Sequence, residues 1–347
     1  MTFARRAVYF TGPLQLQTRE EAVHSPRQGE VLVRTLVSGI SAGTELLIYR
    51  GQAPGDLPVD MSLPALGGNL EFPLKYGYAA VGRVTEVGLG VNEENIGTTV
   101  FAFQPHQTHF VVPLDQPLLL ASDLLPEEAV LLPNAETAVN LVHDGRPMAG
   151  EQVAVFGQGV VGLLTTALLA PMPLASLVTL DRHALRRQAS LDFGAHDSFD
   201  PSLNETLPRL LGALQKGSDY PGADLTYELS GEPQTLDQAI DATGFDGRLV
   251  IGSWYGRKHA ALDLGGRFHR SRIRLMASQV STLAPELRGR WSHARRLNYA
   301  LAWLEALRPA RLITHRVAFE QAADAYRLLV EKPGEAIQVV LTYGDGA

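Results

Sequence analysis

The sequence contains no cysteine among its 347 residues. This absence excludes disulfide bonds, thiolate zinc sites and a cysteine nucleophile. No apolar run reaches the ~20 residues that a helix needs to cross a membrane, and no apolar segment follows Arg5 and Arg6 near the N-terminus. We therefore expect neither a membrane anchor nor a signal peptide.

The sequence also lacks an excess of positive charge. The formal net charge is -7 at pH 7, which disfavours a nucleic-acid-binding surface. Hydrophobic residues make up 45% of the chain and charged residues 19%, an ordinary globular composition. The length favours about two domains. We expect a cytoplasmic protein that binds a small-molecule substrate and has no nucleic-acid or membrane partner.

A glycine-rich turn in the middle of the chain is the strongest functional signal. Residues 153–156 form a β-branched and aromatic run typical of a strand in a buried parallel sheet. Gly157, Gly159 and Gly162 follow with G-x-G-x-x-G spacing. They would allow a tight turn, close approach of a pyrophosphate, and close packing of the next helix. A plain structural turn is the alternative, but the helix expected over 160–170 favours dinucleotide binding.

A second apolar strand is expected over 177–180, and it ends at Asp181. A carboxylate there can accept hydrogen bonds from ribose hydroxyls and would repel a 2′-phosphate, whereas Arg182 could hold that phosphate. NAD is therefore favoured over NADP. The predicted nucleotide-binding residues are Gly157, Gln158, Gly159, Val160, Val161, Gly162, Asp181, Arg182, Ser230, Gly231, Gly252 and Ser253.

The segments before and after residue 117 predict two different kinds of fold. Short alternating segments before residue 117 predict strands, interrupted by a glycine- and proline-rich stretch over 49–76 that we interpret as a pocket rim. After residue 117, helices and strands alternate, which predicts a doubly wound parallel α/β sheet. A last strand over 337–341 is expected to return to the N-terminal β domain.

Five segments together resemble the medium-chain dehydrogenase/reductase superfamily, the alcohol dehydrogenase and quinone reductase relatives. They read VSGISAGTELLIYRG, KYGYAAVGRVTEVG, EQVAVFGQGVVG, DLTYELSG and LITHRVAFEQAADAYRLL. SQVSTLAP and RGRW are similar to a bacterial branch grouped with bacteriochlorophyllide dehydrogenases. The resemblance implies a GroES-like catalytic domain (residues 1–128 and 278–347) and a Rossmann dinucleotide-binding domain (129–277). It also implies hydride transfer with a nicotinamide cofactor, and a homodimer formed through the edge strand 271–277.

The resemblance does not extend to the zinc ligands of the family. Zinc members use a cysteine in a G-x-C-G-T-D region, a histidine in a G-H-E segment, and a cysteine or glutamate before the cofactor domain. The corresponding positions here are Ser41 or Ala42, then Tyr78, then Leu132 and Pro133. A tetrahedral site needs three protein donors, so we expect no zinc.

Two histidines are the remaining candidates for a metal site. His106 and His109 have H-x-x-H spacing, but on a strand they would point to opposite faces, and we expect surface histidines.

Four residues are candidates for catalysis by analogy with the family. Tyr78 could donate a hydrogen bond or proton to the substrate oxygen, or it could fill the space of the missing ion. Thr44 could bind a substrate hydroxyl, and Glu45 could act as a base or cap the following helix. Thr137 occupies the region that the resemblance places against the nicotinamide, and Asn134 is an alternative or a helix cap.

Three functions are consistent with the sequence. The leading prediction is a zinc-independent, NAD(P)-dependent oxidoreductase that acts on a carbonyl, alcohol or conjugated enone. The second is a catalytically inactive protein that binds the dinucleotide as a redox sensor or scaffold. The third is a metal enzyme with unusual ligands.

Overall fold

The computed structural model describes residues 2–56, 66, 68–121, 123–214 and 221–344. The chain divides into two compact units, Met1–Pro133 with Leu301–Ala347, and Asn134–Ala300. No helix among the described residues is long and apolar enough to cross a membrane.

The N-terminal part of the first unit is built mainly from strands. In chain order its elements are β1 (Thr2–Gly12), β2 (Gln15–His24), β3 (Glu30–Gly39), α1 (Ala42–Tyr49), β4 (Leu74–Lys75), β5 (Ala80–Val87), β6 (Thr99–Ala102), β7 (His109–Pro113), β8 (Leu118–Leu119) and α2 (Pro126–Ala129). Helix α3 (Leu132–Gly145) follows and contains the first boundary between the units.

The second unit alternates between strands and helices. Its elements are β9 (Gln152–Phe156), α4 (Val160–Leu169), β10 (Ser176–Leu180), α5 (Ala184–Asp192), β11 (Asp197–Phe199), α6 (Thr206–Ala213), β12 (Ala223–Glu228), α7 (Thr235–Ala242), β13 (Thr243–Ile251) and β14 (Arg274–Ala277). Helix α8 (His293–Leu307) contains the second boundary. The chain returns to the first unit with β15 (Ile313–Ala318), α9 (Ala322–Glu331) and β16 (Gln338–Thr342).

Two sheets organise the first unit. One has the order β2-β1-β4, and the other has the order β15-β16-β3-β5-β6-β8, with β7 also paired to β3. Alternate residues of β3, such as Val31 and Val33, pack on Val84 and Phe110 in a buried apolar cluster. Strand β16 pairs antiparallel with β3, which confirms that the C-terminal strand returns to the N-terminal β domain.

The sheet of the second unit is parallel and has the order β11-β10-β9-β12-β13-β14. Numbered within the unit, this is the order 3-2-1-4-5-6 of a Rossmann fold. Strands β9 and β10 are buried along their whole length, as their unbroken apolar sequences predict. The strand order reverses between β9 and β12, and ligands of such sheets bind at the carboxyl ends of the strands beside this point.

The second unit extends beyond the predicted domain boundary at residue 277. Residues 278–300 belong to it, because their side chains bond to α3. Ser278 Oγ donates to Asp144 Oδ2 at 2.7 Å, and Arg296 Nε donates to Glu136 Oε1 at 3.0 Å. The guanidinium of Arg296 is almost completely buried and needs these partners.

Some predictions fall partly outside the described residues. Of the stretch 49–76, residues 57–65 and 67 are not described, so its interpretation as a pocket rim stays a prediction. The described part contains the short strand β4.

Candidate functional site

The glycine turn after β9 has a separate physical requirement at each glycine. Gly157 has φ +89°, and a Cβ there would lie 2.5 Å from the backbone nitrogen of Ser230. A Cβ on Gly162 would lie 2.0 Å from the carbonyl oxygen of Gly157, so α4 packs directly on the turn. Gly159 differs, because apart from its two chain neighbours no atom of the described residues lies within 4 Å of its Cβ position. The turn therefore leaves open space at Gly159, where α4 begins at Val160 without a side-chain cap.

The side chain of Gln158 lies beneath this turn and is fully buried. Its Oε1 accepts a hydrogen bond from Thr166 Oγ1 at 3.0 Å. Its backbone N–H donates to Asp181 Oδ2 at 2.8 Å. The side chain of Gln158 therefore supports the turn from the interior, and the nucleotide contact at Gln158 stays a prediction.

Asp181 directly follows β10, and its carboxylate connects the glycine turn to the segment that leads into α5. Besides the bond from Gln158, its Oδ1 accepts a hydrogen bond from the backbone N–H of His183 at 2.8 Å. Each carboxylate oxygen retains a second lone pair that can accept a ribose hydroxyl. The open space at Gly159 fits the pyrophosphate of a dinucleotide, and the carboxylate of Asp181 fits its ribose.

Two arginines near Asp181 bear on cofactor choice. Arg182 is 61% exposed, and its Nη2 lies 3.9 Å from Glu232 Oε1. Arg186, which the sequence analysis did not identify, places Nη1 4.0 Å from Asp181 Oδ2. Burial lowers the pKa of Arg186, while the charge of Asp181 opposes that shift. The signal for Arg186 was its place in the first turn of a helix that starts just after Asp181.

A buried carboxylate organises the ends of β12 and β13. Glu228 Oε1 accepts from the backbone N–H of Ser230 at 2.8 Å, and its Oε2 accepts from the hydroxyl of Tyr255. Burial and the charge of Glu228 raise the pKa of Tyr255. The N–H of Gly231 donates to Ser253 Oγ at 2.9 Å. Three predicted cofactor residues, Ser230, Gly231 and Ser253, thus lie together at these strand ends, anchored by a glutamate that sequence reasoning missed.

The other predicted positions of the second unit are Gly252, Thr137 and Asn134. A Cβ on Gly252 would lie 2.6 Å from side-chain atoms of Leu141 and Leu229, so this strand end tolerates only glycine without rearrangement. Thr137 is half-buried on α3. Asn134 is the third residue of that helix, which excludes its alternative role as the N-cap.

The first unit brings together three of the four predicted catalytic residues. The hydroxyl of Tyr78 donates a hydrogen bond to Ser41 Oγ. The backbone N–H of Ser41 donates to Glu45 Oε1 at 2.7 Å, and the N–H of Thr44 donates to the carbonyl oxygen of Ser41 at 3.1 Å. Tyr78, Thr44 and Glu45 therefore surround Ser41 at the start of α1.

Glu45 also bonds within a group of fully buried side chains. Its Oε2 lies 3.0 Å from His106 Nε2 and accepts a hydrogen bond from the hydroxyl of Tyr326. On the other side of the imidazole, Nδ1 lies 2.7 Å from Ser38 Oγ. A carboxylate with 0% exposure cannot meet a substrate, so the geometry favours the capping interpretation of Glu45 over the base.

The prediction of surface histidines is wrong for His106. Its ring is fully buried against Gly77, where a Cβ would lie 2.7 Å from His106 Cδ2. His109 has separate neighbours, with Nδ1 3.1 Å from Thr108 Oγ1 and its ring 5.8 Å from that of Phe3. The two histidines therefore have different environments and different partners.

The residues at the family's zinc positions do not fit a zinc ion. Ser41 and Tyr78 are bonded to each other, and Leu132 and Pro133 offer no side-chain donor. Within the described ranges, no three histidine, aspartate or glutamate side chains are grouped so that they could hold a metal.

Comparison with known proteins agrees with this architecture, although no family model matches the chain. The (R,R)-butanediol dehydrogenase of Bacillus subtilis strain 168 is 28% identical over 266 residues, which are 68% of this chain and 74% of the relative. The 2-desacetyl-2-hydroxyethyl bacteriochlorophyllide A dehydrogenase of Cereibacter sphaeroides is 25% identical over 353 residues, 97% of this chain and 98% of the relative.

Solved structures share the fold over nearly the full length. The RspB alcohol dehydrogenase of Escherichia coli CFT073, in complex with NADH, has a TM-score of 0.76 and 20% identity, covering 98% of this chain and 99% of the other. A dehydrogenase of Sinorhizobium meliloti 1021 bound to NADP has a TM-score of 0.75 and 19% identity, with coverage of 98% and 99%.

The parallel Rossmann sheet, the sheet-rich unit and the glycine turn define a dinucleotide-dependent dehydrogenase fold with a GroES-like domain. The chain is similar to zinc-type alcohol dehydrogenase-like members of the medium-chain dehydrogenase/reductase superfamily. These relatives confirm the predicted fold and the predicted class of enzyme, an NAD(P)-dependent oxidoreductase.

Proposed function

We propose that this oxidoreductase transfers hydride between a nicotinamide and a carbonyl, alcohol or conjugated enone without a zinc ion. The observation that carries the proposal is the hydrogen bond from Tyr78 to Ser41 Oγ. By the resemblance, Tyr78 stands where zinc members have a histidine ligand, and Ser41 or its neighbour Ala42 stands where they have a cysteine ligand. In this proposal, hydroxyl groups therefore take the place of the side chains that coordinate zinc in those members.

In this proposal, Tyr78 stabilises the charge that develops on the substrate oxygen. Reduction of a carbonyl adds a hydride to carbon and a proton to oxygen, and oxidation of an alcohol removes both. A phenolic O–H that leaves Ser41 for the substrate can donate to the developing oxyanion. Ser41 then acts as a positioning residue, held by Glu45 through its backbone N–H. Thr44 is the candidate that binds the substrate hydroxyl, and Thr137 is the candidate beside the nicotinamide.

We further propose that NAD(H) is preferred over NADP(H). The support is the nearly buried carboxylate of Asp181, which accepts two backbone hydrogen bonds and keeps lone pairs for a ribose. Its charge would repel a 2′-phosphate. Paired titrations with NADH and NADPH test this preference, and tighter binding of NADPH would contradict it.

The decisive test is Tyr78→Phe, after a screen of small alcohols, carbonyls and enones has found a turned-over substrate. Loss of one oxyanion donor should lower kcat/KM by roughly 10²- to 10³-fold, with little change in the affinity for NADH. Tyr299→Phe, the same change at an exposed tyrosine, is the matched control. Unchanged turnover in Tyr78→Phe would refute the assignment. A screen without turnover, but with NADH bound, would favour a sensor or scaffold.

Elemental analysis of the purified protein tests the metal-independent part of the proposal. We expect no stoichiometric zinc, and no loss of turnover after treatment with a chelator. One zinc per chain, with activity restored only by that ion, would instead support a metal enzyme with unusual ligands.

We also propose a cytoplasmic homodimer. Strand β14 lies at one edge of the six-stranded sheet and pairs on one side with β13. A symmetric partner strand would satisfy its open backbone groups. A monomer by light scattering at micromolar concentration would count against the dimer.

A further inference from the structure

The largest fully buried side chain among the described residues is that of Arg296 on α8, which is 1% exposed. Its guanidinium has five N–H groups, and each of them has an acceptor. The acceptors are Glu136 Oε1, Asn140 Oδ1, His293 Nδ1 and the carbonyl oxygens of Val280 and Thr282. Apart from His293, these groups belong to helix α3 and to the segment 278–282, which follows β14. Arg296 therefore links this segment to α3.

Ser278 makes a second link between the same two elements. Its Oγ donates to Asp144 Oδ2 at 2.7 Å and accepts from Asn140 Nδ2 at 3.0 Å. Asn140 takes part in both links, because its Oδ1 accepts from Nη1 of Arg296. The side chains of Arg296, Asn140 and Ser278 therefore form one continuous hydrogen-bonded connection between α8, α3 and the segment 278–282.

The two connected elements meet at the carboxyl ends of β13 and β14. These strands are parallel neighbours, and the N–H of Ser278 donates to the carbonyl oxygen of Ile251 at 2.9 Å. The segment 278–282 therefore leaves the sheet beside Gly252, a predicted cofactor position. Helix α3 reaches the same strand end, because a Cβ on Gly252 would lie 2.6 Å from Leu141 Cδ2. Ligands of such sheets bind at the carboxyl ends of the strands.

Stability alone does not explain why an arginine is buried at this place. Removing the charges of Arg296 and Glu136 from water costs free energy, and well-packed apolar side chains are often equally stable in place of such a pair. The guanidinium supplies something that apolar side chains lack, which is a planar group whose N–H directions are fixed. Its acceptors on α3 and on the segment 278–282 are therefore held at one defined separation.

We propose that Arg296 and Ser278 are positioning residues for the nicotinamide half of the cofactor. They hold the segment 278–282 at a fixed distance from α3, and the nicotinamide ring binds between these two elements. This inference rests on the proposed function in one respect, the placement of Thr137 of α3 beside the nicotinamide. The ADP-ribose half of the cofactor is bound elsewhere in the proposed site, at the glycine turn and Asp181.

NADH and ADP-ribose, which lacks the nicotinamide, together test this division. Their affinities for the whole chain are measured by calorimetric titration, and the parent chain should bind NADH more tightly. Arg296→Lys keeps the charge opposite Glu136 but offers three N–H groups on one nitrogen to five acceptors. We expect this variant to bind NADH about tenfold more weakly, while its affinity for ADP-ribose changes by less than about twofold. The fluorescence of bound NADH should change as well, because it reports on the surroundings of the nicotinamide.

The matched control is Arg248→Lys, the same change at another arginine of the second unit. Arg248 is largely buried, and its Nη2 lies 2.7 Å from Glu151 Oε2. Glu151 directly precedes β9, so this ion pair lies toward the amino ends of the strands, away from the proposed nicotinamide site. Both affinities should stay as in the parent chain.

Ser278→Ala removes the second link without leaving a charge unpaired, since Asn140 still donates to Asp144. It decides the question if thermal unfolding shows that Arg296→Lys does not fold. We expect NADH to bind about threefold more weakly, and ADP-ribose to bind as in the parent chain.

Three results would overturn the proposal. In a folded variant, equal losses of affinity for NADH and ADP-ribose would indicate a purely structural role, and unchanged NADH affinity would exclude any role. Equal affinities of the parent chain for the two ligands would show that the nicotinamide half adds nothing to binding. None of these measurements uses turnover, so the role of Tyr78 in hydride transfer is tested separately.

Discussion

Oε2 of Glu45 lies 3.0 Å from Nε2 of His106, and both side chains are completely removed from solvent. The pair holds the start of α1, because Oε1 of the same carboxylate accepts from the backbone N–H of Ser41. Ser41 in turn accepts from Tyr78. The buried pair therefore positions the hydroxyl groups that we propose to act on the substrate.

We expect Glu45→Ala to destabilise the protein by about 3 kcal/mol, because it leaves Nε2 of the buried His106 imidazole and the buried hydroxyl of Tyr326 without this partner. Urea unfolding measures the change, with Glu86→Ala at an exposed position as the control, which should alter stability by less than about 0.5 kcal/mol. A double-mutant cycle with His106→Leu should show coupling between the two sites. Additive effects would contradict a direct stabilising pair.

Asp181→Asn should change cofactor preference. The substitution keeps the size of the side chain and one acceptor oxygen, but it removes the charge that would repel a 2′-phosphate. The charge of Arg186, about 4 Å away, is then no longer offset by the carboxylate and attracts a phosphate more strongly. We expect the ratio of NADPH to NADH affinity to rise about tenfold, measured by fluorescence titration.

The control for this change is the second substitution Arg186→Ala in the Asp181→Asn background. It should reverse most of the gain for NADPH. An unchanged ratio in Asp181→Asn would mean that the carboxylate does not select the cofactor.

Local patterns predicted the second unit well. The run 153–156, the three spaced glycines and Asp181 lie within one strand-turn-helix-strand segment, so their order along the chain already specifies their place in space. Helix α5 ends at a similarly local signal, since Gly194 follows it with φ +98°, a conformation that favours glycine.

The hydrogen-bond network around Glu45 could not be predicted from local sequence patterns. Glu45 and His106 are 61 residues apart, and the pairing of distant strands and helices brings them together. No periodic pattern marks such a contact. Strand β2 also lacks a clear local pattern, since its polar residues are mostly exposed and are held by pairing with β1.

Glu21, on β2, should make the free energy of unfolding depend on pH in the acidic range. Burial alone would raise the pKa of Glu21, but hydrogen bonds from Tyr9 and Lys75 and the charge of Lys75 lower it from 4.5 to about 2. A lowered pKa in the folded state stabilises the fold above the unfolded value, and this contribution is lost as pH falls from 4.5 to about 2.

Glu21→Gln should therefore flatten the dependence of the unfolding free energy on pH in that window. Urea unfolding at a series of acidic pH values measures the slope. Glu20→Gln, at the exposed neighbouring position, should leave the slope unchanged. Equal slopes for the parent chain and Glu21→Gln would show that this carboxylate does not contribute.

Two alanine substitutions in the glycine turn should have opposite consequences. A Cβ at position 162 would lie 2.0 Å from the carbonyl oxygen of Gly157, which is backbone and cannot move away cheaply. We expect Gly162→Ala to destabilise the protein by roughly 1–3 kcal/mol, as overpacking does. A Cβ at position 159 meets no atom within 4 Å, and the residue has φ -67°. Gly159→Ala should therefore fold normally.

The same methyl group at position 159 would occupy the space that a pyrophosphate needs. We expect NADH affinity to fall at least about tenfold in Gly159→Ala, while the melting temperature without nucleotide stays unchanged. Gly212→Ala on α6, where a Cβ also meets no atom within 4 Å, controls for the general effect of alanine on the chain. Full NADH affinity in Gly159→Ala would show that the nucleotide does not use this turn, because no other part of the protein changes in that variant.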